Sequence, residues 1–215
     1  MIKFYFRFSL YLLMAVGFSS VRAGAYEDFF NAVNFDDART VSQLLERGFD
    51  PNSLDAKGQA PLYLSLREGS FKVAAVLLAD RSVRIDLANS VGETALMISA
   101  LKGQTEWLQK LSARGASPDP KVQPAWTALH YAASGPEPKA VQWLLEQGAR
   151  VDARSPNGST PLMMAARYGP EDAVDLLLKR GASARLRNDL DLGAADFARQ
   201  AGRDALADRL AQAAR

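Results

Sequence analysis

Asn157-Gly158-Ser159-Thr160-Pro161-Leu162-Met163-Met164-Ala165-Ala166-Arg167-Tyr168-Gly169, running on to Leu176-Leu177-Leu178-Lys179-Arg180-Gly181-Ala182, reads as a turn, a capped helix, a second helix and a glycine stop. Asn-Gly supplies the positive φ of a tight turn, Thr160 is placed to cap a helix, and Pro161 suits a first helical position that needs no N–H. Gly181 is placed to end the second helix in the left-handed conformation, just after two cations that suit the negative end of the helix dipole.

The unit recurs. Stepping back from Leu162 by 33, 33 and 34 residues lands on Leu129, Leu96 and Leu62, in the contexts Thr127-Ala128-Leu129-His130, Thr94-Ala95-Leu96-Met97 and Ala60-Pro61-Leu62-Tyr63. Three and four residues past these anchors stand the mostly small pairs Ser65/Leu66, Ser99/Ala100, Ala132/Ala133 and Ala165/Ala166. Small side chains one helical turn past a leucine let neighbouring helices approach closely. Fifteen residues past come Leu77, Leu111, Leu144 and Leu177, and nineteen past come Arg81, Gly115, Gly148 and Gly181. The same template reaches back to Phe29, Ala32, Val33, Leu44 and Gly48, and forward through Gly193–Ala198 to a helix running toward Leu206 and Leu210.

A turn followed by two short helices at a period of 33 resembles the ankyrin-repeat family, from about Tyr26 to Leu210. The resemblance implies an all-α fold: a solenoid of stacked helix-turn-helix units with β-hairpin-like loops. One unit cannot bury its own apolar face, so neighbours must share a core. The expected units are residues 26–57, 58–91, 92–124, 125–157 and 158–190, with a C-terminal capping unit at 191–215. The fourth is the irregular one. Its tip, Ser117–Trp126, contains Pro118, Pro120 and Pro124, so a stiff tip with fewer hydrogen bonds is expected.

Lys3 and Arg7, the apolar run Phe8–Phe18 and the small residues around Ala23 and Ala25 have the order of a secretory signal, giving residues 1–25 as a signal peptide cleaved after Ala23 or Ala25. The apolar run is shorter than the roughly 20 residues a membrane span requires, so no membrane insertion is expected after cleavage. Export of an exported bacterial protein of this kind points to the periplasm. The chain has no cysteine, which excludes disulfides, thiol catalysis and thiolate metal sites. The formal charge of +2 includes three bases of the signal and no acid from it, so the remainder carries 23 bases against 24 acids. A nucleic-acid partner is therefore not indicated.

His130 is the only histidine, and a lone imidazole gives neither a metal-ligand set nor a triad. The family resemblance implies a hydrogen bond within the repeat, with Thr127 as partner. Asn188-Asp189-Leu190-Asp191 lacks the Gly and Glu of a calcium loop and reads as turn chemistry. Arg47, Arg114 and Arg180 precede the helix-ending glycines and read as dipole partners. No phosphate loop, nucleophile elbow or supported carboxylate pair is present. No cofactor and no metal are expected.

What remains is surface. The resemblance implies docking on the concave face, through hairpin tips and the positions just after the small pair: Lys57, Val91, Glu93 and Trp126 at tips, and Arg67, Leu101, Lys102, Arg167 and Tyr168 on first helices. Trp126, Tyr168 and Arg67 are the leading anchors. The expectation is a monomeric, non-enzymatic module that binds another protein. Narrower alternatives are an immunity protein against an envelope-directed toxin, an accessory factor protecting an envelope enzyme under oxidative stress, and, from another class, a cryptic hydrolase using His130.

Overall fold

The structure is a computed structural model that describes residues 24–119 and 125–215; all but the last two residues of the expected signal peptide, and residues 120–124 of the proline-rich tip, lie outside them. The described chain is helical and forms two compact units, one ending at Val83 and the other Arg84–Arg215. Among the described residues the only β pairing is a single antiparallel bridge, Arg187 to Gly193.

The first unit contains α1 (24–34), α2 (Ala38–Glu46), α3 (Pro61–Glu68) and α4 (Phe71–Ala79). Its core is Phe29, Val33, Leu66, Val73 and Leu77, and Phe29 stacks on Phe49 at 4.3 Å. Asp36 ties its helices together from a left-handed backbone (φ 56°). Its carboxylate accepts the N–H groups of Lys72 and Val73 at 2.9 and 3.0 Å, capping α4, whose own N-cap Ser70 makes no side-chain bond. Asp37 caps α2, and the Thr40 hydroxyl and N–H hold its carboxyl below the usual range.

The second unit runs α5 (Ala95–Leu101), α6 (Thr105–Ala113), α7 (Ala128–Ser134), α8 (Pro138–Glu146), α9 (Pro161–Tyr168), α10 (Glu171–Lys179), α11 (Ala194–Gln200) and α12 (Asp204–Ala213). Helices of seven to ten residues are too short to hold alone, so packing must hold them. Each first helix packs on the next, α5 on α7, α7 on α9, α9 on α11, while α6, α8 and α10 form the other layer. The recurrent leucines fill the space between. Leu96, Leu129 and Leu162 are buried, as are Leu111, Leu144, Leu177 and Leu210 behind them.

The small pairs are fully buried, and the backbone approaches closely where α7 and α9 end, so glycine is required there. A Cβ on Gly169 would stand 2.3 Å from the Ala133 carbonyl oxygen, and one on Gly135 would stand 2.5 Å from that of Leu101. The predicted stops are in place: Arg47, Arg114 and Arg180 are C-caps, each followed by a left-handed glycine at φ 86°, 88° and 91°. Of Asn157-Gly158 only the glycine has positive φ, because the turn closes by Gly158 N–H to Ser155 O and Ser155 N–H to Ser159 O rather than as a two-residue hairpin.

The loops share a device. Asp55, Asn89 and Asn188 each accept two backbone N–H groups, two and four residues on, through one side-chain oxygen. That settles Asn188–Asp191 as a turn. Successive loops of the second unit are stitched by Asp86 accepting the Ser117 N–H and Asp152 accepting that of Ser183. Arg203 closes the C-terminus of α9, donating to the carbonyls of Ala165, Ala166 and Gly169 at 3.2, 3.0 and 2.8 Å.

Candidate partner-binding face

Because the repeat is 33 residues, equal offsets from the anchor leucine fall on equal places of successive first helices. Three rows result in the second unit. At the hairpin tips stand Glu93, Trp126 and Ser159; one face of the helices carries Ile98, Tyr131, Met164 and Phe197; five residues past the anchor come Leu101, Ser134, Arg167 and Gln200. Among them Ile98 and Phe197 are buried, whereas Tyr131, Met164, Leu101 and Trp126 are half-buried.

Leu101, Trp126, Tyr131, Ser134 and Met164 line an open groove of about 220 Å³ whose floor is His130. The Trp126 ring stands edge-on to His130 at 5.2 Å, so it neither projects freely nor lies wholly on its own loop. Tyr131 donates its hydroxyl to Glu93 at 3.0 Å, and Glu93 also accepts from the Asn89 amide at 2.8 Å. These bonds hold the tip against the helix row.

Arg167 follows Met164 by less than one helical turn. Its guanidinium carbon lies 5.2 Å from the Tyr168 ring centre and 6.0 Å from that of Phe197, and it donates to the Gln200 amide oxygen at 3.0 Å. Tyr168 is 57% exposed, and Val91, at a hairpin tip, is 73% exposed. Lys102 is exposed beside the groove as the C-cap of α5.

In the first unit Lys57 is exposed at its tip. Arg67 is committed locally: it donates to Gln59 at 2.7 Å and Glu68 at 2.6 Å, and lies 5.8 Å from the Tyr63 ring centre. The structure thus gathers Leu101, Trp126 and the Glu93 rim at one groove, with Arg167 and Tyr168 one repeat along. Tyr131 and Met164 are groove residues that sequence reasoning did not name. The signal was present, since each stands two residues past an anchor leucine.

His130 supports the face from beneath. The Thr127 N–H donates to its Nδ1 at 3.2 Å, with the Thr127 hydroxyl 2.9 Å away, so Nε2 carries the proton and donates to the Ser159 carbonyl at 3.0 Å. Burial pushes its pKa down to about 4, partly opposed by the bond to Ser159, and the ring is neutral. Among the described residues no group of three or more His, Asp or Glu could hold a metal ion, and no helix is long and apolar enough to cross a membrane.

The family description "Ankyrin repeats (3 copies)" matches residues 29–122 and 108–188. The chain belongs to the ankyrin-repeat family. Ankyrin repeats are protein-binding frames, generally without catalysis of their own. Among curated proteins it is 31% identical over 102 residues to human transient receptor potential cation channel subfamily A member 1 (47% of this chain, 9% of that protein). It is 34% identical over 104 residues to the chicken nuclear factor NF-kappa-B p105 subunit (47% and 11%). The chain thus spans only about a tenth of the length of these relatives. A solved structure of a predatory endopeptidase from Bdellovibrio bacteriovorus in complex with an immunity protein contains a chain that superposes with a TM-score of 0.71 at 26% identity, over 86% of this chain and 97% of that one.

Proposed function

We propose that this ankyrin protein is exported through its first 25 residues to the periplasm and there, without catalysing a reaction, holds a partner protein on the first-helix face of residues 84–215. The observation that carries the reading is the set of three rows converging on a half-buried apolar groove, with Trp126, Tyr131 and Met164 at its centre. Apolar and aromatic surface left open on a frame is where interface anchors are found. Leu101 lines it too, while Lys102, Val91, Glu93, Arg167 and Tyr168 occupy the neighbouring tips and first-helix positions of the same unit; Lys57 and Arg67 are the equivalent positions of the first unit. The domain is residues 26–215, built of the units given above. A catalytic role is disfavoured by His130, whose two ring nitrogens are both engaged in a buried site.

The double replacement Trp126→Ala with Tyr168→Ala tests this. It abolishes partner capture from the envelope and leaves the far-ultraviolet helical signal unchanged; undiminished capture refutes the face.

A second reading narrows the partner: the chain neutralises an envelope-directed endopeptidase, as an immunity protein. The likeness to a chain of the endopeptidase–immunity protein complex supports it. Titration of the purified chain into an assay of an envelope endopeptidase from the same cell gives stoichiometric inhibition that the double variant lacks. Absence of inhibition or of a complex for every such enzyme leaves only the broader reading.

A further inference from the structure

What holds Arg167 sets it apart from the arginines around it. Arg150, Arg180, Arg187 and Arg209 reach carboxylates within ion-pair distance, and Arg203 is spent on backbone carbonyls. Arg167 is braced by neutral groups alone: two aromatic rings and the Gln200 amide. Among the described residues it forms no ion pair. This bracing already restricts its rotamers, so a carboxylate arriving from outside meets donors that are partly held in place.

The groove beside it supplies the second half of a recognition element. Met164 lines the groove and precedes Arg167 by three residues on α9, which places their Cβ atoms roughly 5–6 Å apart. The groove, about 220 Å³ and open to solvent, has space for a large apolar side chain. On an extended chain, residues two apart project to the same side at a separation of about 7 Å.

Resting on the reading of this face as the docking surface, we propose that its partner presents an extended segment with a Leu- or Phe-sized side chain in the groove and, two residues away, an Asp or Glu whose carboxylate pairs with Arg167. The apolar side chain packs against Trp126, Tyr131 and Met164. The cation sets which way along the first helices the segment runs.

The test pans two libraries of seven-residue peptides against the full mature chain, one with the random residues internal and the other ending in a free carboxylate. Enriched peptides are then titrated against wild type, Arg167→Met and Trp126→Ala, each first confirmed to keep its helical signal. The internal library yields peptides with a large apolar residue and an acid two positions apart. Arg167→Met, or Asp→Asn in the peptide, weakens binding about tenfold or more, and combining the two adds little further. Peptides sensitive to Trp126→Ala and indifferent to Arg167→Met overturn the carboxylate pairing and leave the docking face standing. Indifference to both overturns the face as well. Enrichment from the free-carboxylate library alone, or from neither, also overturns the proposal.

Discussion

Acidification separates the buried imidazole of His130 from every other titrating group. In the fold its Nδ1 accepts the Thr127 N–H, so protonation there would set donor against donor in a site that is 1% exposed. Its folded pKa is about 4 against an ordinary 6.5. Between those values the unfolded chain takes up a proton that the folded chain refuses. The stabilisation is therefore full above pH 6.5 and is lost as pH falls toward 4. At 1.36 kcal/mol per unit, this one group costs about 2 kcal/mol on going from pH 7 to pH 5, and about 3 kcal/mol by pH 4. Urea unfolding of wild type and His130→Gln, followed by far-ultraviolet circular dichroism at pH 7 and pH 5, isolates it. Losses from carboxylates are common to both proteins and cancel in the difference. The variant is less stable at pH 7, and the gap narrows by about 2 kcal/mol at pH 5. Equal losses in the two proteins would refute the neutral, doubly bonded imidazole.

Other perturbations probe the packing. Gly169→Ala forces a Cβ to within 2.3 Å of the Ala133 carbonyl unless α7 and α9 separate, and lowers stability by about 2–3 kcal/mol in urea unfolding. Gly181→Ala meets nothing within 4 Å but keeps φ at 91°, so the same assay shows a smaller loss of about 1–2 kcal/mol. Arg203→Ala strips the α9 carbonyls of their donor; about 2 kcal/mol is lost, and amide exchange rises first in α11 and α12. Leu177→Ala opens a cavity in a fully buried position and costs about 2–5 kcal/mol, enough to threaten folding.

The frame was open to reading because one geometry is written many times. Leu96, Leu129 and Leu162, the buried small pairs, the left-handed glycines and the Thr127–His130 contact each follow from chemistry local to a few residues. The face was harder, because it depends on side chains meeting across repeats. Tyr131 and Met164 share a register with Ile98 and Phe197, which are buried, so only the packing of α5, α7 and α9 shows which of the four remain open to solvent. Arg67 and Arg167 stand at equivalent positions and looked alike in sequence. Their partners decide otherwise: Gln59 and Glu68 occupy one, whereas rings and an amide brace the other. Asp36 was invisible for the same reason, since its value lies in reaching α4 from a preceding repeat.

The central claim is that the partner sits on the first-helix face of residues 84–215. A photo-crosslinking amino acid placed singly at Tyr131, Met164 and Tyr168, and at the exposed second-helix positions Gln142 and Asp175, measures this in the intact cell envelope. The account predicts one shared crosslinked product from the first three positions and none from the last two. Crosslinks from Gln142 and Asp175 with silence at Tyr131 and Met164 would contradict it.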